Sequence, residues 1–97
     1  MNYKQFEESL TDPHPGERLS LPLKALWYDR KGDWNKAHEL VQDLNGKSAA
    51  RIHAYLHRKE GDIFNADYWY RRAAATRPNV SLEEEWIQLV GEFLTRD

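Results

Sequence analysis

The sequence predicts an all-α protein made of two stacked antiparallel helical hairpins with a flanking helix on either side. Three observations predict it. Shifting the chain by 29 residues against itself sets Gly32-Asp33 on Gly61-Asp62, Ala37 on Ala66, Ala25 on Ala54 and Leu26-Trp27 on Tyr55-Leu56. Such recurrence is the mark of repeated helix–turn–helix units. Between these signals apolar residues fall three and four apart, the period of one helix face, and no segment shows the alternation of a strand.

The first helix is expected over Tyr3–Leu10, where Tyr3, Phe6 and Leu10 share a face, and the prolines and glycine of the segment 11–16 end it. His14 lies in that linker and is expected to face solvent. Ser20 can cap a second helix running to about Lys31, with Pro22 tolerated in the first turn. Gly32 then stops it and Asp33 caps a third helix, Trp34–Leu44, which Asn45-Gly46 closes. Ser48 is expected to cap a fourth helix ending at Glu60. Gly61-Asp62 repeats the stop and start for a fifth, which extends to about Thr76 before Pro78. Ser81 with Glu84 reads as a capping box for a last helix whose Leu82, Trp86, Leu89, Val90 and Phe93 form a stripe that must be buried. These elements divide the single domain into 1–18 (helix and linker), 19–46 (unit one), 47–80 (unit two) and 81–97 (a C-terminal capping helix). Phe6 and Leu10 are expected to meet Trp27 at one end of the stack, and the last helix to cover the other.

A chain of 97 residues buries a modest core, and four Trp, five Tyr and three Phe supply its packing. With no cysteine it has no disulfide and no thiolate metal site. The start MNYKQFEESL shows no basic region followed by an apolar run, and no stretch reaches bilayer-crossing length, so a cytoplasmic protein without membrane contact is expected. A formal net charge of −2 argues against general polyanion binding. Cations concentrate at Arg51, Arg58, Lys59, Arg71, Arg72 and Arg77, and acids at Glu83, Glu84, Glu85, Glu92 and Asp97.

The paired alanines resemble the tetratricopeptide repeat family, in which small residues on the two helices of a unit let them approach closely. Ala25 with Ala37, and Ala54 with Ala66, hold those places, with Tyr28 as the large neighbour in unit one, His57 standing in its place in unit two, Tyr70 and Ala73 further along, and Pro78 where the family often places a terminating proline. The phrases DWNKAHELVQD, HAYLHRKEGD and YWYRRAA are also similar to small bacterial proteins of this type with no assigned role. The likeness covers about residues 19–79, and Trp86, Leu89 and Phe93 look like the start of an incomplete third unit. It implies a right-handed superhelix and a non-enzymatic scaffold for protein partners. The repeat is shorter than the family's usual period of about 34 residues, the loss falling near residues 44–48, which either clips the second helix of unit one or alters the superhelical twist.

The same resemblance implies a binding surface on the first helices of successive units: Leu19, Pro22, Leu26, Asp29 and Arg30, then Arg51, Tyr55, Arg58 and Lys59. Arginines flanking a tyrosine suit an acidic or extended peptide, because guanidinium engages carboxylate bidentately. The peptide-binding candidates are therefore Arg30, Arg51, Tyr55, Arg58 and Lys59, and loss of Arg51 and Arg58 is expected to weaken capture without altering the melting temperature. In the competing arrangement the acidic helix from Ser81 lies on this surface and neutralises it.

An alternative function is metal binding. His53 and His57 stand four apart on one helix face, and His38 on the preceding helix is a third ligand candidate, with Glu60 or Asp67 as a fourth. The zincin glutamate is absent, Ala54 standing in its place. No resident cofactor is expected, and no nucleophile-and-base pattern or phosphate loop points to catalysis. The run Tyr68-Trp69-Tyr70-Arg71-Arg72 mixes aromatic and basic residues as single-strand binders do, but helical spacing turns Tyr70 into the helix pair and leaves Tyr68 with Arg72 outside, so no nucleic-acid partner is expected. A purely structural, self-associating subunit is the remaining reading, with monomer and homodimer both open. A homodimer would cover Trp86, Ile87 or Leu94 if they stay exposed.

Overall fold

In a computed structural model, which describes residues 1–96, the chain forms α1 (Tyr3–Ser9), α2 (Leu21–Arg30), α3 (Trp34–Gln42), α4 (Lys47–Glu60), α5 (Ile63–Arg72) and α6 (Leu82–Arg96). No strand occurs among the described residues, and Asp97 of the acidic tail lies outside them. Local chemistry explains most boundaries. The Ser20, Asp33 and Asp62 side chains accept from the backbone N–H three residues on, satisfying donors that a helix start leaves free. Ser81 Oγ accepts from Glu84 N at 3.0 Å at the head of α6.

The two hairpin turns are near copies. Gly32 and Gly61 adopt φ of 89° and 91°, and Asp33 and Asp62 follow with ψ of 74° and 76°. In each, the Asp N–H closes on a carbonyl five residues back, Asp33 on Tyr28 and Asp62 on His57. A positive φ at this place is what both glycines provide. The 29-residue offset thus reproduces one turn geometry twice.

Three boundaries differ from expectation, the first being that α3 ends at Gln42 with Asp43 as its C-cap, short of Leu44, so Asn45-Gly46 does not close it. Gly46, at φ 103°, is the N-cap of α4 and supplies no side-chain bond, so Ser48 lies inside the helix and does not cap it. Helix α5 stops at Arg72, short of Thr76, because Ala74 turns left-handed at φ 57° while Ala74 N and Ala75 N close on Arg71 O and Tyr70 O. An alanine there carries the Cβ strain that glycine lacks. Ala74→Gly should therefore raise stability by about 0.5–1 kcal/mol. A urea midpoint that stays put or falls would contradict that turn.

Loops of two to four residues between α2 and α5 return each helix antiparallel to the last. Helix α2 packs on α3, α3 on α4 and α4 on α5. Ala25, Ala37, Ala54 and Ala66 are each fully buried, which is what close approach of paired helices requires. The main core joins Phe6, Leu23, Trp27, Ile52, Leu56, Trp86 and Phe93, and a smaller one holds Ala54, Ala66 and Tyr70.

The flanking helices do not close opposite ends. Helix α6 packs on α2, α4 and α1, and Tyr3 meets Trp86 edge-on with ring centroids 6.3 Å apart. The stripe Leu82–Phe93 finds its apolar counterpart on the first helix of each hairpin, so α6 lies across that face. The backbone of α5 comes close to α4 alone, and α5 reaches α6 through the Tyr70 side chain. No helix among the described residues is long and apolar enough to cross a membrane.

Candidate functional site

The five residues expected to form a peptide surface are brought together, and each already has an acidic partner within the chain. Glu85 of α6 is fully buried. Arg51 Nη1 donates to its Oε2 and Arg58 Nη1 to its Oε1, both at 2.6 Å, and the Tyr70 hydroxyl donates to Oε2 at 2.6 Å. Arg58 also reaches Val80 O at 2.5 Å, and the Arg51 guanidinium lies over the Tyr70 ring at 5.0 Å. Burial, then the bond to Glu85, raises the Tyr70 pKa well above its ordinary value, so its hydroxyl stays a donor.

Asp29 repeats the arrangement one turn away. It is 2% exposed, accepts from the Tyr55 hydroxyl at 2.8 Å and pairs with Lys59 Nζ at 2.8 Å. Burial first, then the Asp29 charge, raises the Tyr55 pKa. Arg30 forms a two-pronged pair with Glu83, at 2.7 and 3.0 Å, and covers the Trp86 ring at 3.8 Å. The competing arrangement, α6 neutralising the basic face, is the one adopted. Removal of Arg51 and Arg58 is then no longer neutral to stability, contrary to the sequence-based expectation. It strips the cations from a buried carboxylate.

On the far side of α4, three imidazoles meet. His38 Nε2 and His53 Nε2 stand 3.0 Å apart, and ligand-capable atoms of His38, His53 and His57 all lie within 4.8 Å of one another. His53 and His57 are buried and His38 is half-buried. Trp34 stacks on His38 at 4.9 Å and 9°, and Trp69 on His53 at 4.0 Å and 17°. His57 Nδ1 bonds Glu60 Oε1 at 3.0 Å, and Asn65 Nδ2 approaches His57 Nε2 at 3.4 Å. Burial first, then the neighbouring imidazoles, lowers the His53 pKa to about 4. The His38 pKa is also lowered, by burial first and then by His57, so His38 and His53 favour neutral rings, each with a free lone pair.

Of the proposed fourth ligands, Glu60 holds His57 from behind, while Asp67 is turned away and bonded to Arg77 at 3.0 Å. His14 is exposed in its linker. Tyr70 is buried in the helix pair and Tyr68 shares the outer face with Arg72, whose Nη1 approaches its hydroxyl at 3.4 Å. Trp86 is buried, Leu94 half-buried and Ile87 exposed.

Residue patterning named the cations, set Asp29 beside them and offered the acidic helix as their neutraliser, but did not single out Glu85 as the acid that Arg51 and Arg58 share. Glu85 lies three residues after Leu82 and four before Leu89, and Asp29 four after Ala25, so both acids sit on the apolar face of their helices. That position was the available signal. Trp34 stands four residues before His38 on α3, a spacing the sequence shows, whereas the stacking of Trp69 on His53 joins two helices and had no local signal. No family model, curated protein or solved structure matches the chain.

Proposed function

We propose that this chain is a non-enzymatic protein-interaction module built on two tetratricopeptide-like hairpins. The twin turns at a 29-residue offset and the four buried alanines support the repeat reading. One observation carries the functional part. Helix α5 is packed on one side only, and its outer face leaves Phe64 86% exposed, with Ile63 and Tyr68 also open. Stacked repeats bury such faces against a neighbour, so an uncovered final helix is a surface for another protein or a second copy.

The test is affinity capture from source-cell lysate with the full chain, alongside light scattering over a concentration series. Phe64→Ser with Tyr68→Ser should abolish retention of the wild-type partners, or the wild-type dimer, while shifting stability by under about 0.5 kcal/mol. Equal retention and equal mass for both chains would remove α5 as the interface. A second reading, an acidic peptide on the inner face, is favoured at its rim. There Arg30 and Lys59 keep side-chain exposures of 33% and 40% beside a cavity of about 180 Å³. Loss of capture in Lys59→Ala with an unchanged melting temperature would favour that reading.

A further inference from the structure

We infer that His38, His53 and His57 form a three-imidazole site for one divalent transition-metal ion of the zinc class. The inference is independent of the interaction surface on α5. It rests on convergence, orientation and a surround built for the rings.

Convergence comes from two helices. His53 and His57 are one turn apart on α4, and α3 packs His38 against them. Ring centroids are separated by 4.7, 4.8 and 5.4 Å. A tetrahedral ion bound at about 2.0–2.1 Å puts imidazole centroids about 3.2 Å from itself, hence about 5.2 Å from one another. The nitrogens then stand about 3.3 Å apart, slightly wider than the 3.0 Å between His38 Nε2 and His53 Nε2. A small outward shift of His38, the least buried ring, supplies the difference. The His53 and His57 planes, now inclined by 24°, turn within the broad torsional well of an imidazole to aim at the ion.

Orientation comes from the second shell. A metal-bound histidine ordinarily donates its remaining N–H to a carboxylate or carbonyl, and Glu60 Oε1 stands 3.0 Å from His57 Nδ1 for that purpose. His57 Nε2 is left for the ion, with Asn65 as its present, long contact. Between His38 and His53 a single proton separates two facing nitrogens. Moving it to the outer nitrogen of the same ring frees both lone pairs with no change in charge. Trp34 and Trp69 pack flat on His38 and His53, so the rings are gathered before any ion arrives and need only that small shift and turn. Three neutral imidazoles suit zinc, cobalt, nickel or copper and disfavour calcium or magnesium. The fourth position is left to water.

The experiment uses the full chain purified without an affinity tag and stripped with chelator. Zn²⁺ titrated calorimetrically should bind one to one, and His38→Gln should weaken it at least about tenfold while His14→Gln changes nothing. His38 is chosen because its half-buried ring can be replaced without opening the core. Co²⁺ should give the visible absorption of a tetrahedral site and quench Trp34 and Trp69 emission, and both signals should vanish in His38→Gln. Absence of saturable one-to-one binding, or binding equal in wild type and His38→Gln, overturns the site and leaves the imidazoles a packing role. Phe64→Ser with Tyr68→Ser should bind Zn²⁺ as wild type does, which separates this outcome from the fate of the interaction surface.

Discussion

Replacing Arg51 and Arg58 together by alanine is expected to destabilise the protein by about 3–5 kcal/mol, because it leaves a buried carboxylate without its cations. Glu85 has no exposed surface, and the two guanidinium groups supply two of its three bonds. Tyr70 donates one neutral bond, which does not offset the charge. At about 4–8 °C per kcal/mol for a domain of this size, the melting temperature should fall by at least about 12 °C. The expected rescue is instructive. Adding Glu85→Met to Arg51→Met and Arg58→Met removes all three charges and should recover most of the loss, since buried ion clusters contribute little beyond a well-packed apolar equivalent. A double-alanine variant that melts within about 2 °C of wild type would mean that Glu85 is solvated and α6 lies elsewhere.

Trp86→Ala should cost a similar amount, about 3–5 kcal/mol, through lost packing rather than lost charge. The indole is 2% exposed, donates to Leu26 O at 3.0 Å, and meets Tyr3, Phe6 and the Arg30 guanidinium. It therefore joins α6 to both α1 and α2. Hydrogen exchange should show α1 losing protection first, since its contacts run chiefly to α6. Retained protection in α1, with loss elsewhere, would place its anchor outside Trp86. Because Glu85 and Trp86 are neighbours on one helix, the two losses are coupled and should not add in the combined variant.

How much of this was legible beforehand follows from the range of each interaction. Capping by Ser20, Asp33 and Asp62, the twin turns at Gly32 and Gly61, and the burial of Ala25, Ala37, Ala54 and Ala66 are set within a few residues or by periodicity, and they were readable as such. The early end of α5 was not, because Ala74 in a left-handed turn defies local preference and is held by the bonds that Ala74 N and Ala75 N make to Arg71 O and Tyr70 O. The three histidines were named as a set because two share a helix face, and Trp34 lies one turn from His38, whereas the flat packing of Trp69 on His53 needed coordinates.

Helix type, number and order were determined by the sequence alone, through spacing, caps and stops that act within one or two turns. Which face α6 would cover was decided only by the tertiary structure. The stripe Leu82–Phe93 required burial but carried no address. The address is a pairing of unlike partners distant in sequence: Glu85 with Arg51 and Arg58, and Trp86 with Leu26 and Tyr3. Such pairings exist only once the helices are assembled, since a charge is buried at tolerable cost only where its counter-charges already stand.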